Sequence, residues 1–187
     1  MPDELLDIVN DDDLVTGQEM RAIVHQRGLQ HRGIHIFLVS SAGKLLVQQR
    51  GRHRELCPLA LDCSVSEHVK AGESYLEAAV RGLAEELGIR RAAISALVKF
   101  RMEYSPNDRE FCQLYEGIVD PALVQFDPDE VEGIAYNSLE KLNELIREGK
   151  VVFSDWFVQL IYWYQGWPSK LQVLKNYPRK QLLLPSG

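Results

Sequence analysis

Residues 67–89 read Glu67-His68-Val69-Lys70-Ala71-Gly72-Glu73-Ser74-Tyr75-Leu76-Glu77-Ala78-Ala79-Val80-Arg81-Gly82-Leu83-Ala84-Glu85-Glu86-Leu87-Gly88-Ile89. The stretch reads as a loop, a short amphipathic helix and an abrupt stop. Ser74 with Glu77 three positions on forms a capping box, in which each side chain satisfies a free backbone N–H at the helix start. Leu76, Ala79, Val80, Leu83 and Leu87 recur at the helical period and predict one buried face. Gly88 suits the left-handed residue that ends a helix. On another face Gly82, Glu85 and Glu86 share one turn, and Glu77, Arg81 and Glu85 stack at i, i+4 spacing. Adjacent carboxylates facing a loop with Glu67, His68 and Glu73 make a hard, oxygen-rich site, the kind Mg²⁺ uses when it also holds phosphates.

Working outward, Glu4 to Val9 predicts a strand, Asp11-Asp12-Asp13 its solvated turn, and Thr16 the cap of a helix from Gln18 to His25. Ile34 to Val39 is an apolar strand, joined through Ser41-Ala42-Gly43-Lys44 to a partner strand at Leu45–Arg50. A charged loop follows, and a strand-like run from Leu59 to Val65 leads into the quoted stretch. Beyond it, Ile94–Tyr104 and Glu110–Val119 read as a hairpin around Ser105-Pro106-Asn107-Asp108. Val131–Tyr136 reads as another strand, and Ser138 caps a helix through Glu148. Ser154-Asp155 opens a last helix carrying Trp156, Phe157, Leu160, Ile161 and Trp163, an aromatic stripe that reads as core or dimer surface. Trp167-Pro168 breaks that helix, and the basic, apolar tail reads as a short helix followed by disorder. Strands before, between and after the main helices imply an α/β/α sandwich around a mixed sheet. Residues 1–29 form an N-terminal region, 30–150 the main domain and 151–187 a C-terminal helical extension packed on it.

At 187 residues, 45% hydrophobic and 26% charged, the chain has the length and composition of one soluble globular domain with an extension. The net charge of -6 excludes a sequence-independent grip on nucleic acid, which needs a basic footprint. Cys57, Cys63 and Cys112 fit neither a zinc spacing nor a disulfide framework, which points to a reducing cytoplasm. The acidic start lacks the basic region of a signal peptide, and no apolar run reaches membrane-spanning length. The expected partner is a small molecule rather than nucleic acid or a membrane, and the aromatic stripe of the C-terminal helix leaves both core packing and a homodimer surface open.

Glu73, Arg81, Leu83, Glu85, Glu86, Gly88 and Ile89 resemble the Nudix box at its characteristic spacing, and the resemblance extends over roughly residues 30 to 150. It implies a Nudix α/β/α fold. It also implies a Mg²⁺-dependent (or Mn²⁺-dependent) hydrolase that cleaves a diphosphate linkage in a nucleoside diphosphate linked to another moiety. Glu85, Glu86 and Glu73 are the implied metal ligands. Arg81 is structural, pairing with Glu73 to hold the loop against the helix. Glu67, Glu110 and Glu130 are candidates for the base, and Arg50 is placed to touch a phosphate. The box departs from the family twice: Glu67 stands where it opens with glycine, and Gly82 where the family has a glutamate ligand. Glu67 is expected to replace part of the missing carboxylate.

A second resemblance, to the branch that contains isopentenyl-diphosphate isomerase, rests on Leu29-Gln30-His31-Arg32, Ser64-Val65-Ser66-Glu67-His68 and Asp108-Arg109-Glu110-Phe111-Cys112. It implies that His31, His68, Asp108 and Glu110 bind a metal, with His25 nearby and Glu110 also catalytic. Ser66 stands where the isomerase has its catalytic cysteine, and a serine hydroxyl is a poor general acid at neutral pH. An isomerase-like enzyme and a diphosphate-binding module without catalysis are the alternative readings. His35 and His53 match no motif.

Overall fold

The computed structural model of the chain describes residues 4–54, 56–105 and 107–179. Strand β1 (Leu5–Val9) turns at the aspartates and returns as β2 (Val15–Met20), with Leu5 opposite Met20. The helix expected from Thr16 is thus displaced. The Thr16 hydroxyl donates across the hairpin to the Ile8 carbonyl at 3.3 Å, and helix α1 (Arg21–Arg27) starts only after the strand ends. Strand pairing beside β1 outweighs the local capping signal. Gly28, left-handed at φ 62°, closes α1 and sends the chain into β3 (His31–Val39).

β3 and β4 (Leu45–Arg50) pair at Val39–Leu45 and then diverge, so β4 is not the full hairpin partner the sequence suggests. Next come β5 (Leu61–Asp62), β6 (Val65–His68), α2 (Tyr75–Leu87), β7 (Ile94–Ser105) and β8 (Asp108–Ile118). They are followed by β9 (Val131–Asn137), α3 (Leu139–Glu148), α4 (Asp155–Tyr164) and β10 (Gln172–Asn176). The main sheet runs β10-β7-β8-β3-β4-β5, with β6 added on β3 and β9 on β4, and its β3–β8 pair is parallel. Strand β10 replaces the short helix expected in the tail. It pairs with the otherwise open edge of β7, a long-range gain that local periodicity does not register. The disorder expected at the extreme C-terminus falls on residues 180–187, outside the described residues, as does Pro106 of the predicted turn. Among the described residues, no helix is long and apolar enough to cross a membrane.

Alternation along β3 sorts the two faces of the sheet. Ile34, Ile36 and Leu38 join Val65, Leu83 and Leu87 in the core under α2. Phe37 packs with Phe100, Leu114, Leu142, Phe157 and Leu160 in the core under α3 and α4. The sandwich therefore has a helix layer on each face. Residues paired directly across strands point to the same face. His35 lies opposite Ser66, Gly33 opposite His68, and His31 opposite Glu110. These polar groups share the α4 face beyond the end of its apolar core. Val65 and Glu67, one residue out of phase, face α2.

The predicted capping box forms: the Ser74 hydroxyl accepts from the Glu77 N–H, and the Glu77 carboxylate accepts from the Ser74 N–H at 2.8 Å. The buried face of α2 is nonetheless rotated from the predicted one. Leu76 and Val80 are exposed, and Ala78, Gly82 and Glu86 are buried beside Ala79, Leu83 and Leu87. Close approach at Gly82 accounts for the rotation. A Cβ there would sit 2.8 Å from Val65 Cγ1 and 3.1 Å from Glu67 Cγ. Gly82→Ala is therefore expected to push α2 off β6 and lower stability by about 1–3 kcal/mol. Urea denaturation measures this, and an unchanged midpoint would remove close packing as the reason for glycine.

Candidate active site

A cavity of about 420 Å³ lies between α1, the loop after β4, the end of β6 and the start of α4. Alternation along β6 gives it two chemically distinct walls.

On the α2 side the wall is carboxylate and guanidinium. Glu86 is 1% exposed, accepts a hydrogen bond from Gln48 Nε2 at 2.9 Å, and lies under Glu67. Burial, and then the neighbouring Glu67 charge, push the Glu86 carboxyl well above the usual range. Burial also opposes ionisation of Glu67, but a hydrogen bond from Glu86 and the guanidinium groups of Arg54 and Arg81 outweigh it and hold Glu67 low. The buried pair thus keeps one proton, on Glu86, as two carboxylates sharing a site do. Arg54 reaches Glu67 and Glu86 at 3.5 Å each and Glu130 at 3.1 Å. Arg81 donates to Glu73 at 2.8 and 3.0 Å, to the His68 carbonyl at 2.8 Å and to Glu85 at 3.0 Å. Arg81 therefore ties the loop to the helix. Glu85 is 52% exposed on its side chain and stands outside this buried group.

On the other side three imidazoles meet. The rings of His25, His31 and His68 lie with centroids 5.0–5.2 Å apart. His25 comes from the last turn of α1, brought there by the displaced helix start. Glu110 Oε1 is 3.3 Å from His31 Nε2 and 3.7 Å from His68 Nε2, and Asp108 Oδ1 is 3.9 Å from His31 Nε2. A Cβ at residue 33 would overlap the Glu110 carboxylate, so Gly33 makes the room that Glu110 fills. Burial opposes a charge on His31, yet the Glu110 carboxylate raises its pKa, and the same contact holds Glu110 far below its usual range. Burial, with the neighbouring imidazoles, pushes His68 down to about 3; burial and Glu110 push Asp108 up to about 7. His31 Nε2 and Asp108 Oδ1 are buried without a hydrogen-bond partner, although they point at the same spot. Ligand atoms of His25, His31 and His68, and of His31, Asp108 and Glu110, lie within 4.8 Å of one another in each set. A divalent ion fits this nitrogen and oxygen donor set and would satisfy both orphaned atoms; the mixture suits a first-row transition metal better than Mg²⁺.

Asp62 joins the cavity to the C-terminal helix. Its carboxylate is fully buried and accepts from Arg50 at 2.7 Å, Trp156 Nε1 at 2.7 Å, Ser154 Oγ at 2.8 Å and the Cys63 N–H at 2.7 Å. Arg50 is consequently a fixed, buried cation at the cavity wall, stacked 5.2 Å from the Trp156 ring. Ser66 Oγ lies 3.0 Å from His35 Nδ1, and His35 Nε2 lies 3.1 Å from the Tyr104 hydroxyl. Burial holds His35 neutral, so this chain positions Ser66 without lending it an acid's proton.

Of the residues expected from the sequence, Glu67, Arg50, His68 and Glu110 line the cavity, Glu86 lies beneath it, and His31 belongs to the histidine cluster. Glu73 and Glu85 are engaged by Arg81 at the edge. Asp62, Arg54, His35 and Tyr104 were not expected, and Trp156, packed against the core as the sequence suggests, also lines the cavity. No motif spacing marks them. The one signal was the crowding of Arg50, Arg52 and Arg54 at the end of β4 and in the loop after it.

Residues 29–157 match the model of the NUDIX domain family. An uncharacterized Nudix hydrolase of Nostoc sp. is 32% identical, covering 92% of this chain and 92% of its own. An isopentenyl-diphosphate Delta-isomerase of Serratia proteamaculans is also 32% identical, covering 85% of this chain and 90% of its own. The crystal structure of a Deinococcus radiodurans protein superposes with a TM-score of 0.73 at 32% identity, covering 84% of this chain and 97% of that one.

If the histidine cluster holds an ion, the titration of Asp108 would give its capture a pH dependence. With its pKa raised to about 7, Asp108 holds a proton at lower pH that an incoming ion must displace. Binding of Mn²⁺ or Zn²⁺ is therefore expected to tighten between about pH 6 and about pH 8 and to release protons. Calorimetry in buffers of different ionisation heat detects the release. Affinity independent of pH would show that the ion does not bind there.

Proposed function

Because the chain belongs to the Nudix family, we propose that its cavity binds a nucleoside diphosphate linked to another moiety and cleaves the diphosphate with Mg²⁺. The observation that carries this reading is the meeting of Glu67, Glu86 and Glu130 with Arg54 at a cavity that Arg50 also lines. Diphosphate hydrolysis requires charge neutralisation, a positioned water and cations that hold the ester. Glu86 and Glu67 would hold the ion, with Glu130 approaching from the loop before β9 and Glu85 and Glu73 at the rim. Mg²⁺ bound there supplies charge neutralisation on the phosphates and keeps several waters. Arg50, immobilised by Asp62, orients the diphosphate. Glu67 side-chain atoms lie next to Gly82, so Glu67 would supply on that side of α2 the carboxylate that residue 82 lacks.

A second reading has its own support. The cluster of His25, His31, His68, Asp108 and Glu110 is the metal set that the isomerase resemblance implies, and the identity to a named isomerase equals that to a named hydrolase. Ser66, tied to neutral His35, stands against it.

Phosphate release from dinucleotides, nucleotide sugars and nucleoside triphosphates with Mg²⁺ or Mn²⁺ tests the first reading. Deuterium incorporation into isopentenyl diphosphate tests the second. Release is expected from at least one dinucleotide or nucleotide sugar, and no exchange. Glu86→Gln and Glu67→Gln should each lower release by about 10–100-fold or more. Undiminished release in both variants, or exchange without release, would overturn the assignment.

A further inference from the structure

Arg54 stands where the proposed ion would bridge its carboxylates. Its terminal nitrogen is equidistant from Glu67 Oε1 and Glu86 Oε1, at 3.5 Å each, and 3.1 Å from Glu130 Oε2. Three acidic groups from three separate elements, β6, α2 and the loop before β9, thus converge on one guanidinium. The Arg54 side chain is 13% exposed. Arg50 holds Asp62 at 2.7 Å, and Arg81 holds Glu73 at 2.8 Å. The backbone that carries Arg54 is pinned on both sides. The Gly51 N–H donates to the Glu130 carbonyl at 2.9 Å, the Arg54 N–H donates to the Gly51 carbonyl at 3.1 Å, and the Leu59 N–H donates to the Arg50 carbonyl at 3.1 Å. Arg54 borders the cavity, and rotation of its long side chain would carry the guanidinium from these carboxylates into it.

We propose that Arg54 is a tethered counter-cation: it occupies the Glu67–Glu86–Glu130 site until a divalent ion displaces it, and it then turns into the cavity and grips the substrate diphosphate. The first half concerns the chain and the ion alone; the second half rests on the hydrolase reading. A guanidinium and a divalent ion cannot both sit between the same carboxylate oxygens, because like charges at that separation repel strongly in a partly buried site. The planar fork that leaves the carboxylates matches phosphate oxygens equally well. Metal and diphosphate would accordingly bind with positive coupling, the ion releasing the arginine that the diphosphate needs.

Calorimetric titration of Mn²⁺ into substrate-free wild type and Arg54→Gln tests the first half. Zinc is kept out, and His31→Ala is present in both backgrounds to silence the histidine cluster. Loss of the competing cation should tighten Mn²⁺ binding by roughly tenfold, the scale of one charge-assisted hydrogen bond. Equal or weaker binding overturns the proposal. Should Arg54→Gln fail to fold, the wild-type protein still decides. Mg²⁺ titration followed by ¹⁵N NMR of arginine Nε–H groups should convert one hindered guanidinium to a freely rotating one, and no such change overturns the proposal. For the second half the probe is imidodiphosphate, which is not hydrolysed at its bridge. With saturating Mg²⁺, Arg54→Gln should weaken its binding by roughly tenfold. Unchanged affinity overturns the grip on diphosphate. If the metal and imidodiphosphate results hold while no member of the substrate panel is cleaved, the hydrolase reading alone falls.

Discussion

Alternation along β6, fixed by its pairing with β3, is the constraint on which the site depends. His35 faces Ser66 and Gly33 faces His68 across that pairing, so the histidine cluster is confined to one face of the sheet and Glu67 to the other. A slip of one residue would exchange the two and leave neither set of ligands together. On each face a glycine accommodates the result. Gly33 leaves space for the Glu110 carboxylate, and Gly82 leaves space for the side chain of Glu67. In both places the missing side chain is replaced by an acidic one from a neighbouring element, so the glycines act as moulds for carboxylates rather than as hinges.

Much of this was legible because its signals are local. The capping box at Ser74, the stop at Gly88, the Arg81 pairing with Glu73 and the cap at Ser138 lie within a few residues of what they control. The sandwich followed from the order of strand and helix patterns. The errors arose where distant pairing overruled local propensity. Thr16 lies in a strand because β1 is beside it, and residues 172–176 form a strand because β7 had an edge to fill. Leu76 and Val80 fit the helical period yet face outward, because the rotation of α2 is set by the approach of Gly82 to Val65. The site residues that went unpredicted are the long-range ones: His35 meets Tyr104 across a separation of 69 residues, and Asp62 meets Trp156 across 94. A single sequence carries no spacing rule for such contacts.

The three arginines of the site differ in what holds them. Arg50 is held by the hub carboxylate of Asp62, and Arg81 by the loop and helix it joins. Their partners are satisfied within the protein, which favours rigidity over reactivity. Arg54 is set where Glu67, Glu86 and Glu130, from three separate elements, converge. In a chain with a net charge of -6, the cavity thereby sets guanidinium groups beside carboxylates at one site.

The donors gathered by Asp62 have a consequence for how the protein is made. Arg50, Cys63 and Ser66 leave the ribosome close to Asp62 in time, but Ser154 and Trp156 emerge only after most of the sheet. Until they dock, the carboxylate has fewer partners and the cavity lacks its aromatic wall. A nascent chain therefore carries both sets of candidate ligands without the enclosure that would make them selective. Vectorial synthesis therefore makes completion of the site wait for the last part of translation, when Ser154 and Trp156 become available to Asp62.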